Sequence, residues 1–342
     1  MNIRYSKFTK QGCNFESGRD NSRSVKKTTE SQTPHPVPAE IESDLRKVRV
    51  LMNSSSGLYS SFSEIQEVFE QYWDQSGIDL TFQFSKSFED GLTKTRRAVD
   101  DGVDTILVVG GDGMVNSVGS VLVDTDVALG VVPTGSGNGF ARHFNIPLIP
   151  QKAVQSLVYA DRQKIDVGLA NGRPFFVTCS MAWDAAIVRT FEKSPVRGVL
   201  PYVLAGAYEL IAYEPQSFQV RLDDGNPIAF DKPMVFTVAN LTQFGGGARI
   251  APNACPDDGY LELVVVERKD APWLVGDLPK LFDGRVDQLD RVTSKRFTSL
   301  QVNREKSAAI QVDGELIESQ VDVTITVKPR ALTVLVPIKP DA

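Results

Sequence analysis

The chain has 342 residues, 42% of them hydrophobic and 23% charged, which points to two globular domains around a large buried core. A formal net charge of -6 argues against a nucleic-acid binder with a strongly basic face, though a local basic patch could still meet an anionic membrane. Cys13, Cys179 and Cys255, odd in number and far apart, suggest neither a disulfide framework nor a zinc cluster and fit a reducing cytoplasm; with no apolar leader at Met1 and no apolar run of the roughly 20 residues a span requires, no membrane span is expected.

Residues 1–43 are polar, rich in Ser, Lys and Arg, and carry Pro34, Pro36 and Pro38, so they read as a flexible tail. Residues 48–52 form an apolar run, a predicted strand, which breaks at Asn53-Ser54-Ser55-Ser56-Gly57. A helix follows, with Ser63 and Gln66 spaced as a capping box and Ile65, Val68, Phe69 and Tyr72 on one face. Residues 80–84 predict a second strand and residues 89–101 a second helix, stopped by Gly102. Residues 105–109 are continuously apolar, as in a parallel strand buried on both faces, and end in Gly110-Gly111-Asp112-Gly113. A helix over 114–123 and a strand over 127–132 then lead to Pro133-Thr134-Gly135-Ser136-Gly137-Asn138-Gly139. Strands alternating with helices predict a parallel, doubly wound layer whose loops share one edge.

After about Asp166 the period changes, and residues 235–240, 260–266, 308–312, 321–327 and 332–336 predict strands of a second, mainly antiparallel β domain. Within it, residues 184–213 read as helical and become unusually apolar over 198–205. A core helix pair and a lipid-contacting surface both fit that stretch.

Phosphates need converging donors with no side chains in the way, and a glycine-rich loop entering a helix supplies backbone amides and the positive end of the helix dipole. Gly110, Gly111, Asp112, Gly113, Met114, Val115 and Asn116 have that arrangement, with Asp112 suited to hold a magnesium ion or a hydroxyl. One such loop could be a mere tight connection. The loops at Asn53 to Gly57 and at Gly135 to Gly139 leave strands of the same layer, so three phosphate-type loops are expected to gather at its carboxyl edge.

These loops, with Gly245-Gly246-Gly247, Ile250-Ala251-Pro252, Asp257-Asp258-Gly259 and Asp313-Gly314-Glu315, resemble the diacylglycerol kinase and sphingosine kinase family over residues 46–337. The resemblance implies α/β plus β architecture: a three-layer α/β nucleotide domain similar to that of NAD kinases and phosphofructokinases over 44–166, an antiparallel β-sandwich over 167–328, and a segment at 329–342 returning to the first domain. It implies that Asn53, Ser54, Ser55, Ser56, Gly57, Ser85, Gly110, Gly111, Asp112, Gly113, Met114, Val115, Asn116 and Ser136 line an ATP site. Asp313 and Glu315 fall where the family has its catalytic carboxylates, and Cys255, Asp258 and Tyr260 where it has a structural magnesium site of main-chain oxygens and one carboxylate.

Two positions depart from the bacterial pattern. Met114 stands where many bacterial members have Thr and sphingosine kinases have leucine, and Gly139 stands where bacterial members have a second acid, which makes the third loop more similar to that of sphingosine and ceramide kinases. The expected reaction is transfer of the γ-phosphate of ATP to a lipid hydroxyl, foremost that of diacylglycerol to give phosphatidic acid, with a sphingoid base or another lipid as the alternative. Asp313 or Glu315 would accept the proton; Asp-Gly is also a common turn dipeptide, and two carboxylates two residues apart share a face only if the strand runs through them. An NAD kinase-like enzyme lacks support in the absence of an Asn-Asn-Glu segment; a non-catalytic nucleotide- or lipid-binding module is the third reading. The resemblance implies a cytoplasmic protein in peripheral contact with the inner face of the membrane, without nucleic-acid partners; a homodimer is compatible with it. His35 and the lone His143 offer no metal site or triad, and Arg142 could reach a phosphate or cap a short helix.

Overall fold

The computed structural model describes residues 46–53, 62–73, 78–182, 215–267, 280, 282–289 and 292–338. The expected tail, the loop residues Ser54, Ser55, Ser56 and Gly57, and the apolar helical stretch at 184–213 lie outside these residues.

The first elements alternate: β1 (Arg46–Asn53), α1 (Phe62–Trp73), β2 (Ile78–Ser85), α2 (Phe88–Asp100), β3 (Thr105–Gly110), α3 (Asp112–Leu122) and β4 (Ala128–Pro133). The four strands lie parallel in the order β2-β1-β3-β4, and every residue of β3 and β4 is buried. Such strands need cover on both faces. On β2, Phe82 meets Phe69 of α1 edge to face, whereas Ser85, three residues on and so on the opposite face, lies against the α2–α3 pair, near Gly91 and Ser117. Trp73 at the end of α1 donates its indole N–H to Val154 O, joining α1 to α5 (Pro150–Leu157) on the first face. A short helix, α4 (Gly139–His143), stands between β4 and α5.

Local chemistry explains the helix ends. Ser87 caps α2 by accepting from Asp90 N. At the other end Gly102 N bonds Val99 O and Val103 N bonds Ala98 O, with Gly102 at φ +72, a left-handed position that glycine adopts without a Cβ penalty. The capping box at Ser63 and Gln66 does not form. Helix α1 already begins at Phe62, so Ser63 lies inside its first turn and Gln66 donates to Glu70 instead, at 2.6 Å.

The remaining strands are β5 (Asp161–Ala170), β6 (Arg173–Phe175), β7 (Thr178–Ser180), β8 (Phe218–Leu222), β9 (Ile228–Phe230), β10 (Val235–Ala239), β11 (Leu261–Val266), β12 (Val292–Phe297), β13 (Ser299–Arg304), β14 (Ile310–Val312), β15 (Glu315–Ile317) and β16 (Asp322–Val336). Six form an antiparallel sheet, β12-β11-β10-β7-β14-β15. It packs on β16, β13 and β8 through a core that includes Phe218, Phe236, Leu263, Leu300, Val312 and Ile325, with Phe218 stacked on Phe236 at 4.5 Å between ring centroids. This is a β-sandwich behind an α/β layer.

Strand β16 belongs to both cores. Val323 and Ile325 fill the sandwich, whereas Leu332 and Val334 fill the α/β core, and Val334 pairs in parallel with Leu129 of β4. The two strands read from the sequence at 321–327 and 332–336 are thus one, broken by a register shift between Lys328 and Leu332 with Arg330 at φ +50. Asp166, fully buried, accepts from Arg330 N at 2.8 Å and from Gly259 N at 2.6 Å, so it holds the bulge against the 256–260 loop. The boundary drawn at 166 therefore runs through the middle of β5, itself paired with β16 along its length.

Candidate active site

Parallel pairing brings the ends of β1, β3 and β4 to one edge: Asn53 is in register with Ser85, and Gly110 with Pro133. Thr134 N bonds Gly110 O at 3.0 Å, so the second and third loops touch backbone to backbone. At Gly111, φ is -96 and ψ -176, an extended conformation open to any residue. The demand for glycine there is one of space, since an added Cβ would lie 3.2 Å from Gly135 Cα; a Cβ on Gly135 would lie 2.7 Å from Gly111 Cα. Gly135→Ala is accordingly expected to force the two loops apart and to weaken ATP binding by about tenfold or more, by loss of one or two phosphate-directed amides worth about 1.5–3 kcal/mol each. Unchanged calorimetric affinity for ATP would show that this close approach does not shape the nucleotide site.

Helix α3 starts at Asp112, and Met114 N and Val115 N already bond Gly111 O, which leaves the Asp112 and Gly113 amides ahead of the intrahelical ladder. Met114 folds back over Gly110, 2.9 Å from the position of an added Cβ, and packs with buried Val115 into the α/β core. Asp112 is bonded within the fold. Its carboxylate accepts from Gly139 N at 3.1 Å and Phe140 N at 3.2 Å and so caps α4 from another element, because Asn138 at the cap position spends its side chain on Gly135 N and Gly135 O. Burial raises the Asp112 carboxyl above its ordinary value, opposed by those amides and by the Arg142 charge.

Gly137 O accepts from Gly246 N at 3.0 Å and from Arg142 Nε at 3.1 Å. Arg142 thus ties its own loop, and the Gly245-Gly246-Gly247 segment docks on the third loop. Ser136 is exposed at the tip. Ser85 is buried and donates to Ser87 O within its own turn. His143 Nδ1 accepts from Thr242 N at 3.2 Å, and burial lowers its pKa from 6.5 to about 4. The unfolded chain binds a proton near 6.5 that the folded chain refuses until about 4, so this residue's contribution is complete above 6.5 and is lost as pH falls toward 4. Asp313 acts oppositely across part of that window, since burial lifts it from 3.8 to about 6. His143→Asn keeps an acceptor for Thr242 N, so the stability difference between wild type and variant should change with a slope approaching ~1.4 kcal/mol per pH unit between those pKa values. Urea unfolding at several pH values measures it; a difference independent of pH would contradict an imidazole held neutral in the fold.

Asp313 and Gly314, at φ +47 and +91, are the two central residues of the β14–β15 hairpin, with Val312 paired to Glu315. Two left-handed residues in succession are what a two-residue turn of this hand requires, hence Asp-Gly. The strand does not run through them, so Asp313 and Glu315 do not share a face, and the turn is not an exposed one. Asp313 is 4% exposed. Its Oδ1 accepts from Val177 N at 2.8 Å and Thr178 N at 3.0 Å, and its Oδ2 from Phe176 N at 2.7 Å and Asn116 Nδ2 at 2.8 Å. Asn116, also buried, donates as well to Pro174 O at 3.0 Å, so the Asp313–Asn116 pair locks α3 to the β6–β7 connection. Glu315 differs in kind. Its side chain is 33% exposed, its Oε1 lies 3.4 Å from where a Gly113 Cβ would be, and its Oε2 accepts from Arg173 Nη2 at 2.8 Å. An accessible carboxylate therefore stands at the first turn of α3. Arg173 was not singled out in the sequence; the Asn171-Gly172 turn dipeptide before it was the available signal for a hairpin there.

Of the residues expected to hold a structural magnesium, Asp258 has two partners within the fold. Asp258 accepts from Tyr260 N at Oδ1 and pairs with Arg296 at Oδ2, and the same guanidinium lies over the Tyr260 ring at 4.5 Å. The one side-chain ligand of that set is thus paired with Arg296, whose own side chain is 54% exposed. Among the described residues no group of three or more His, Cys, Asp or Glu side chains could hold a metal ion.

Two family models match this chain: the diacylglycerol kinase catalytic domain over residues 47–170 and the YegS C-terminal NAD kinase beta sandwich-like domain over residues 178–336. This chain belongs to the diacylglycerol kinase-type lipid kinase family. Its relatives include a diacylglycerol kinase of Mycobacterium tuberculosis, 28% identical over 86% of this chain and 96% of its own length, and a probable lipid kinase YegS-like of Chromohalobacter salexigens, 27% identical over 70% of this chain and 79% of its own. A solved diacylglycerol kinase structure from Bacillus anthracis strain Sterne is similar with a TM-score of 0.64 at 19% identity, covering 86% of this chain and 98% of that one, a likeness of fold. Membership of a kinase family implies ATP as a substrate.

Proposed function

We propose that this protein transfers the γ-phosphate of ATP, taken up as its magnesium complex, to the hydroxyl of a membrane lipid, diacylglycerol foremost. The observation that carries the reading is Glu315, a carboxylate about one-third exposed and set against the glycine-rich first turn of α3. That turn suits phosphates, because its leading amides and the helix dipole converge where only glycines intrude. Glu315 accepts the proton of the acceptor hydroxyl as its oxygen attacks the γ-phosphorus and the bond to the ADP oxygen breaks. Asp313 does not take that proton, since both of its oxygens already accept two hydrogen bonds each; it positions α3 and the hairpin that carries Glu315.

Radiolabelled ATP and magnesium supplied with a panel of diacylglycerol, sphingoid-base and ceramide mixed micelles, and separately with NAD, test the proposal. Label in diacylglycerol supports it, label in another lipid reassigns the acceptor, and label in NAD or in none of them overturns it. No helix among the described residues is long and apolar enough to cross a membrane, and the reaction is proposed to take place with the protein bound peripherally at the membrane surface. The segment proposed for that contact, Val199 to Leu204 with Arg189, Lys193 and Arg197 before it, lies outside the described residues. Each basic residue would add about 1 kcal/mol near an anionic surface, so changing the three together to Gln should weaken flotation with anionic liposomes at low salt; equal flotation of the variant would exclude the segment.

A further inference from the structure

We infer that Arg173 is a phosphate-binding residue of this site, bridging Glu315 and the terminal phosphate of the nucleotide. The inference rests on the lipid-kinase reading above and adds to it a residue and a contact. Arg173 opens β6 directly after the Asn171-Gly172 turn, and that turn is held to β16 by Asn171 N on Thr324 O and by Thr324 N on Asn171 Oδ1, both at 2.8 Å. The backbone that carries the arginine is therefore fixed. Its guanidinium stands 5.4 Å from the centre of the Phe88 ring, at the start of α2, while Nη2 donates to Glu315. Two contacts aim the group and leave it 35% exposed.

A phosphate at the first turn of α3 would stand beside the Glu315 carboxylate, which already lies against Gly113. Two anions side by side repel unless a cation stands between them. Among the described residues, Lys94 is held by Asp90 and Phe84 O, and Arg142 Nε by Gly137 O. A guanidinium presents five N–H donors in a planar fork, so one edge can stay on Glu315 while another takes phosphate oxygens; an ammonium cannot divide itself in that way. Arg173 would thereby keep the proton acceptor in place and offset the charge of the phosphate next to it.

Calorimetry on the full chain with a non-hydrolysable ATP analogue and with ADP, each with magnesium, separates this role from a structural one. Arg173→Gln is expected to weaken the analogue by about tenfold or more and ADP by about twofold at most, because only the analogue carries the terminal phosphate. Arg173→Lys, which keeps the charge and loses the fork, should recover only part of the affinity, and it carries the same comparison should the Gln variant fail to fold. Kinetics of the Arg173→Gln and Glu315→Gln variants and their double should show the double falling below Glu315→Gln alone. Equal binding of the analogue by wild type and both variants, or equal losses for analogue and ADP, would overturn the inference while leaving the kinase reading intact. If wild type bound neither nucleotide, both would fall.

Discussion

Glu315→Gln is expected to lower phosphoryl transfer by about 10²–10⁴-fold, the usual contribution of a positioned proton acceptor, with no comparable loss of stability. The substitution keeps the shape of the side chain and removes the basicity of its oxygens. The ion pair it breaks with Arg173 is about one-third exposed at each partner, and such pairs contribute only about 0–1 kcal/mol. Steady-state kinetics in mixed micelles beside a thermal melt check both halves. Transfer within about threefold of wild type would remove Glu315 from the chemistry, and a large fall in melting temperature would make any lost activity uninformative.

Asp313→Asn should show the opposite pattern, with damage visible first in stability. Each carboxylate oxygen of Asp313 receives two N–H donors, so whichever way an amide is turned, its NH2 faces two donors in a buried site. Leaving such groups unpaired costs about 2–4 kcal/mol, which corresponds to a melting temperature lowered by roughly 3–7 °C for a chain of this size. Activity should fall too, because α3 and the β14–β15 hairpin lose the group that joins them. A variant as stable as wild type yet inactive would return Asp313 to the chemistry and displace Glu315 as the proton acceptor.

These two residues show where reading the chain stopped. The motif Asp313-Gly314-Glu315 marked two carboxylates, and nothing local distinguishes their roles. The distinction comes from Phe176, Val177, Thr178 and Asn116, which lie 135 or more positions away from Asp313 in the chain. Asp112 is a similar case. A glycine-rich loop with one acid reads as a site for an ion, and nothing local reveals that the acid also caps α4, 27 positions onward. Arg173 went unread because a single arginine on a short strand has no periodic signal, and its partner Glu315 stands 142 positions later.

Periodicity and turn chemistry by themselves determined the parallel α/β layer: β3 and β4 are continuous apolar runs, α2 carries its cap and its stop signal, and the glycine loops lie where strands pass into helices. Those features are local, set by side-chain alternation, helical spacing and allowed backbone angles within a few residues. The sandwich strands β5 to β9 and β12, β13 and β15 escaped, since many have only three to six residues and gain their stability from cross-strand partners rather than from their own pattern. Tertiary structure alone decided that β16 serves two cores through one bulge, that Gly111 and Gly135 need glycine because they press on each other, and which of the two acids is buried and which is partly exposed. The reason is common to all three. Burial, backbone contact and hydrogen-bond partnership between residues far apart in the chain exist only once it has folded, and they set the protonation and reach of each side chain.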